Sequence, residues 1–229
     1  MLLERFNRIT EEISTAEKKS GRPSGSVKLV TVSKNFGEEI TSEAITAGSN
    51  ILGENRVQEA KVKIAKLGRK NIKWHLIGRL QKNKVKYIFD LFDMIHSVDS
   101  VELGRAIHKG AEARQMVMPV LVQVNISSED SKSGVEPARL EFLLKELAQL
   151  NGIKIQGLMT IPPSNSDPEN SRPHFAQLRK LRDKMSQLNI KNIQLNELSM
   201  GMSGDYQIAI EEGATFVRVG SAIFGQRPS

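Results

Sequence analysis

Eight apolar runs of strand length, each followed by a stretch of helical periodicity or a turn, occupy the chain from Val27 to Gly220. The runs are "VKLVTVSK" (27–34), "NILGE" (50–54), "KWHLIG" (73–78), "MIHSV" (94–98), "MPVLVQVNI" (118–126), "KIQGLMT" (154–160), "IQLNELSM" (193–200) and "TFVRVG" (215–220). Between them stand "EEITSEAITAG", "RVQEAKVKIAKL", "KNKVKYIFDLF", "VELGRAIHKGAEA", "PARLEFLLKELAQL", "PHFAQLRKLRDKMSQL" and "GDYQIAIEEG", where apolar residues recur every three or four positions. Pro137 suits the first turn of its helix, and Asn151-Gly152 closes it. Strict strand–helix alternation calls for a parallel sheet, either an open doubly wound one or a closed barrel. Eight units in about 200 residues is the count a barrel needs, so the expected fold class is α/β, a single (β/α)8 TIM barrel.

The first 20 residues read as an extra amphipathic helix, and only "SAIFGQRPS" follows the eighth strand. The N-terminal helix is therefore expected to cover apolar surface that a short last helix leaves open. The expected organisation is one domain over 1–229, with the helix at 1–20 and the barrel over 27–220.

Composition removes several function classes. With no cysteine among 229 residues there is no disulfide framework, thiol catalysis or thiolate zinc site, which favours a reducing, cytoplasmic setting. Glu4 and Arg5 interrupt the apolar start, and no apolar run reaches the roughly 18 residues of a membrane span, so no membrane association is expected. The excess of 33 basic over 26 acidic residues could suit a polyanion. The lysines, however, are scattered along amphipathic helices and only 5% of residues are aromatic, so no nucleic acid partner is expected. His75, His96, His108 and His174 form no ligand-spaced pair, so no metal site is expected.

In a barrel the chemistry gathers at the carboxyl ends of the strands. Those positions hold Lys34, Glu54-Asn55, Gly78-Arg79, Asn125-Ile126-Ser127, Thr160, Ser199-Met200-Gly201 and Gly220-Ser221. Taken alone, Lys34 has two readings: a rim lysine whose stem packs on the barrel, or a partly buried amine reactive toward a carbonyl. The segments "SMGMSGD" (199–205) and "VRVGSAIFG" (217–225) follow strands seven and eight, where this fold commonly binds phosphate. Gly201, Gly204 and Gly220 allow close backbone approach there, and Ser199, Ser203 and Ser221 supply hydroxyls. Ordinary turns and a cap at Ser221 would use the same residues. Arg218 lies two residues before Gly220 and on the same strand face, so an inward guanidinium needs an acceptor, which could be an interior glutamate. An amine, a phosphate cup and an interior arginine together suit a phosphorylated aromatic aldehyde, for which pyridoxal 5′-phosphate (PLP) is the natural candidate.

Seven segments carry a resemblance that runs nearly end to end: "VTVSK" (30–34), "GENRVQE" (53–59), "WHLIGRLQKNK" (74–84), "VNISSEDSKSG" (124–134), "GLMTIPP" (157–163), "LSMGMSGD" (198–205) and "VRVGSAIFG" (217–225). The chain resembles the YggS/PROSC family of pyridoxal-phosphate-binding proteins, the PLP homeostasis proteins, which share their barrel with the N-terminal domain of alanine racemases. Arg56 and Arg79 stand where tyrosine and proline are more usual.

The resemblance implies that Lys34 holds PLP as a Schiff base. It implies that Ser199 and the Gly220-Ser221 turn hold the phosphate, with Met200, Gly201 and Ser203 nearby. Arg218 then faces the pyridine nitrogen and Asn55 lines the ring's other side. A permanent cation at that nitrogen disfavours its protonation and weakens the ring as an electron sink. Racemases of this type add a tyrosine through a further C-terminal domain, and this chain ends nine residues after Gly220. Tyr87 and Tyr206 fall in helix patterns, and Ile161 stands where the racemases place a histidine.

The expected function is accordingly PLP binding in intracellular vitamin B6 and amino-acid homeostasis, with no catalytic residues, as a monomer that serves PLP-dependent apo-enzymes. A PLP-dependent racemase or decarboxylase, relayed by water or His75, is the alternative. A cofactor-free Schiff-base aldolase acting on a phosphorylated sugar is a third reading. The loop "SSEDSKSG" (127–134), with Lys132 and Gly134, could close over the mouth or serve as a polar turn.

Overall fold

A computed structural model describes residues 1–127, 133–163 and 166–225. Eight strands close into one parallel barrel in sequence order: β1 (Lys28–Val32), β2 (Ile51–Glu54), β3 (Lys73–Leu76), β4 (Met94–Val98), β5 (Met118–Gln123), β6 (Ile153–Met159), β7 (Ile193–Met202) and β8 (Phe216–Val219). β8 returns to β1 in register, with Val30 opposite Arg218 and Thr31 opposite Val219, so the sheet has no open edge. The eight strands expected from the alternation are present, most of them trimmed by one to three residues.

Period-two alternation divides each strand between two cores. Val30, Val32, Ile77, Met94, Leu121, Met159 and Phe216 fill the barrel interior. Leu52, Trp74, Leu76, Ile95, Val120, Leu158, Leu198 and Val217 point outward into a larger core shared with the helices. That outer core is closed by α2 (Glu38–Thr46), α3 (Val57–Leu67), α4 (Val101–Glu112), α5 (Leu140–Leu147), α6 (Arg172–Gln187) and α7 (Tyr206–Glu211). In α4, Leu103, Ile107 and Ala111 form one buried stripe, and the Ser100 hydroxyl caps its start by accepting from the Leu103 N–H at 3.3 Å.

Two connections differ from the helical pattern. Over 82–92 the chain forms a 3-10 helix at Lys82–Tyr87 and then turns. The amides of Ile88 and Leu91 bond three residues back, which tightens the descent to β4 while Val85, Ile88, Phe89 and Phe92 still reach the core. The segment at Pro137 likewise begins as a 3-10 turn, Pro137–Arg139, before α5.

The N-terminal helix α1 (Leu2–Lys19) buries Leu2, Phe6, Ile9, Ile13 and Ala16 along one face. It packs on α7 and on α8 (Ser221–Phe224), the single turn after β8, and so covers the surface that a longer last helix would occupy. Arg5 ties the two together: its Nε donates to the Ile223 carbonyl at 2.7 Å and its Nη2 to the Phe224 carbonyl at 3.2 Å. The buried Glu17 carboxylate accepts from the backbone N–H groups of Gly25 (3.0 Å) and Val27 (2.7 Å), which fixes the entry to β1.

Candidate functional site

A cavity of about 440 Å³ opens at the carboxyl ends of the strands. From β1 and its exit come Val32, Lys34 and Phe36; from the β2 and β3 exits, Asn55, Ile77 and Gly78. The far wall is Ile161, Met202, Ser203, Gly204, Arg218, Gly220 and Ser221. Among these described lining residues the only ionisable side chains are Lys34 and Arg218. A slightly larger cavity, about 480 Å³, lies at the opposite end of the barrel between the starts of β5, β6 and β7, where Lys154 is the single charged lining residue. The first cavity is the one at the strand ends where a barrel gathers its chemistry.

Lys34 is half-buried at the end of β1, followed by Asn35 in the left-handed region at φ 66°, so the chain turns sharply behind it. A buried ion pair anchors that turn from outside the barrel. Lys63 of α3 donates to Glu54 Oε1 and to the Ser33 carbonyl, each at 2.6 Å, while the Ser33 hydroxyl donates to the same carboxylate at 2.6 Å. The residues directly preceding Lys34 and Asn55 are thus strapped to each other. Burial pushes the Glu54 carboxyl above its ordinary range, against the pull of its bonds to Lys63 and Ser33.

Gly78 shows how tightly the wall is built, since a Cβ there would lie 2.3 Å from the Asn55 carbonyl oxygen. The Asn55 Oδ1 is itself buried without a hydrogen-bond partner among the described residues. Opposite, the Ser203 hydroxyl accepts from the N–H groups of Gly220 (3.2 Å) and Ala222 (3.4 Å), so the β7 exit loop is pinned to the β8 exit.

Arg218 forms the floor and is almost wholly buried. Its acceptors are not a glutamate: Nη1 donates to Ser199 Oγ at 2.6 Å and Nη2 to the Thr160 carbonyl at 2.8 Å. Burial pushes its guanidinium down to about 10, with Asp205 pulling weakly the other way.

The structure brings Lys34, Asn55, Ser203, Arg218, Gly220 and Ser221 together at this cavity. Ser199, Met200 and Gly201, expected beside them, do not line it. β7 continues through Met202, two residues beyond its expected end, with a register shift against β8 between Ser199 and Met202. Ser199 consequently sits deeper in the barrel, fully buried on Arg218 and His96. Met200 points into the outer core, and Gly201, at φ +89°, turns the chain against Ala209 and Tyr206. Of the 127–134 loop, Lys132 lies outside the described residues; Gly134 packs on the Val124–Asn125 backbone.

Two groups escaped the sequence reading. One is the Glu54–Lys63 pair. The other is a pair of interior histidines: His75 Nδ1 lies 3.0 Å from His96 Nε2, and His96 Nδ1 lies 2.9 Å from Ser199 Oγ. Burial pushes His75 down to about 3 and holds His96 well below the ordinary imidazole range, so both are neutral near pH 7. The signal was their spacing, His75 two residues before inward Ile77 and His96 two residues after inward Met94. Tyr206 is hydrogen-bonded to Glu12, and burial together with that carboxylate pushes it up to about 12. Tyr87 is exposed, with Lys61 and Lys86 over its ring. Neither tyrosine lines the cavity. No group of three His, Asp or Glu side chains suited to a metal ion occurs among the described residues, and no helix there is long and apolar enough to cross a membrane.

A closed eight-stranded parallel barrel with an amine and a buried arginine at its carboxyl mouth is a structural class that known proteins share. Residues 5–228 match the family model described as "Alanine racemase, N-terminal domain". An alanine racemase of Clostridium difficile 630 superposes with a TM-score of 0.74 at 16% identity, over 99% of this chain and 58% of that one, a likeness of fold alone. Much nearer is a pyridoxal phosphate homeostasis protein of Aquifex aeolicus, 44% identical over 224 residues, which is 98% of this chain and 97% of that protein. PipY of Synechococcus elongatus, whose structure has PLP bound, superposes with a TM-score of 0.83 at 37% identity, over 98% of this chain and 100% of that one. The chain belongs to the family of pyridoxal phosphate homeostasis proteins.

Proposed function

We propose that this barrel binds pyridoxal 5′-phosphate at its carboxyl mouth, with Lys34 as the covalent anchor, and serves vitamin B6 and amino-acid homeostasis as a carrier. The observation that carries the reading is the donor set of the 440 Å³ cavity: a half-buried primary amine, a buried guanidinium and the hydroxyls of Ser203 and Ser221 among apolar walls. That set fits the group, with the amine for its aldehyde, N–H and O–H donors for its phosphate, and the buried Oδ1 of Asn55 as an acceptor for a polar ring substituent. PLP, when bound, supplies an electron-withdrawing ring that stabilises negative charge at the carbon next to an amino group.

The chain's own residues restrain that chemistry. Arg218 keeps a positive charge at the cavity floor, which disfavours a proton on a nearby ring nitrogen. Among the described lining residues there is no carboxylate, imidazole or phenol to move a proton at the substrate carbon. Carriage is therefore favoured over turnover, in the cytoplasm, by a monomer in which the N-terminal helix and barrel form one binding domain that supplies apo-enzymes.

Titrating the purified protein with PLP should give a yellow species, and borohydride reduction followed by peptide mass spectrometry should place the pyridoxyl group on Lys34. A protein that stays colourless with excess PLP, or label elsewhere, would overturn the assignment. Solvent-deuterium exchange at the α-carbon of a panel of amino acids tests the carrier role, and rapid turnover would make the protein an enzyme.

A further inference from the structure

Four buried side chains form one hydrogen-bonded line through the barrel interior, from the cavity floor to β3. Arg218 Nη1 is 2.6 Å from Ser199 Oγ, Ser199 Oγ is 2.9 Å from His96 Nδ1, and His96 Nε2 is 3.0 Å from His75 Nδ1. Phe216 packs on both imidazoles in edge-to-face geometry, with centroids 5.6 and 5.4 Å away.

The protons along this line can be assigned one bond at a time. A guanidinium only donates, so Ser199 Oγ accepts from Arg218. The hydroxyl hydrogen then needs its own acceptor in a water-poor interior, and His96 Nδ1 is the one within reach among the described residues. His96 therefore carries its hydrogen on Nε2 and donates to His75 Nδ1, which in turn leaves the His75 hydrogen on Nε2. Every bond points away from the cation, so each dipole presents its negative end toward the guanidinium. The reverse direction would aim a second N–H at an oxygen already bonded by Arg218 and strand the Ser199 hydrogen.

We propose that His96, acting through Ser199 and backed by His75, is a positioning residue for Arg218, locking its guanidinium at the cavity floor, with both histidines fixed as Nε2–H tautomers. Ser199 and the Thr160 carbonyl together hold two of the five guanidinium donors, one on each terminal nitrogen. That fixes the plane of a side chain with four rotatable bonds and leaves its remaining donors to face a ligand. Ser199 thereby acts on the arginine, while Ser203 and Ser221 are the hydroxyls that line the cavity.

The tautomers do not depend on what the cavity binds; the effect on ligand rests on the PLP reading above. In the cofactor-free protein, long-range ¹H–¹⁵N correlation should show Nε2–H on His75 and His96, and Nδ1–H on His96 would overturn the proposal. PLP titration of His96→Leu and Ser199→Ala should show a shifted absorption maximum and affinity weakened by about tenfold, the worth of one hydrogen bond to a charged group. His96→Asn, which keeps an acceptor oxygen near the Nδ1 position, should stay near wild type. Unchanged spectrum and affinity in a folded His96→Leu protein would overturn the positioning role, and Ser199→Ala, lacking one hydroxyl, decides the same point if His96→Leu does not fold. Wild-type protein that takes up no PLP overturns the reading of the cavity, and the tautomers then decide the hydrogen-bonded line by themselves.

Discussion

Lowering the pH from 7.5 to 5.0 should destabilise this protein through the two interior histidines. In the unfolded chain each takes up a proton below its ordinary value of 6.5, whereas in the barrel His75 resists protonation until about pH 3 and His96 remains neutral well below 6.5. A folded value depressed below the unfolded one means that the unfolded state binds the extra proton, so stability falls as pH drops below 6.5. One unit corresponds to about 1.4 kcal/mol per group, so the 1.5 units between 6.5 and 5.0 amount to about 2 kcal/mol for His75, and His96 acts in the same sense. That is a large fraction of the roughly 5–15 kcal/mol by which a domain is usually stable. Glu54 acts in the opposite sense, because burial raises its folded value and the folded state gains by protonating it first. Urea unfolding of wild type and His75→Asn at both pH values separates the terms, since Glu54 is common to the two proteins. The variant should lose about 2 kcal/mol of the wild-type pH dependence, the part that belongs to His75. Equal stability of wild type at pH 7.5 and 5.0, or the same slope in the variant, would refute the reasoning.

Three further outcomes follow from the site's construction. Lys63→Met should cost about 3–5 kcal/mol in urea unfolding, because it leaves a buried carboxylate without its cation, while Glu54→Leu with Lys63→Leu should recover most of the loss. Gly78→Ala should cost about 1–3 kcal/mol and weaken PLP binding, since its methyl would press on the Asn55 carbonyl; thermal unfolding and titration read the two effects. In a folded, PLP-loaded protein, Arg218→Glu should move the absorption band to longer wavelength, and an unaltered spectrum would count against an arginine at the ring nitrogen.

The barrel was legible because its signal is local and repeated: each strand announces itself by apolar residues, and the eight-fold count does the rest. Lys34, Asn55 and Ser221 were legible for the same reason, as they fall at strand ends whatever the details of packing, and Arg218 because alternation puts it on the face of Gly220. Ser199, Met200 and Gly201 lie outside the cavity lining because β7 runs two residues further than its pattern suggests. Gly201 reads as a turn, which hides that β7 persists through Met202 with a register shift against β8 between Ser199 and Met202. Lys63 looked like any solvated lysine of α3, since its partner Glu54 lies nine residues earlier on a strand and meets it only once β2 and α3 have packed. The histidine line is further from sequence still, because Ser199 is 103 residues from His96 and only barrel closure makes them neighbours.

The seam between α1 and α8 constrains the order in which this molecule can be made. Arg5 meets Ile223 across a sequence separation of 218 residues, so α1 must wait, with Phe6, Ile9 and Ile13 uncovered, until α7, β8 and α8 have been synthesised. Contacts between such distant segments form slowly. Until then that apolar stripe is a surface on which the nascent chain can aggregate.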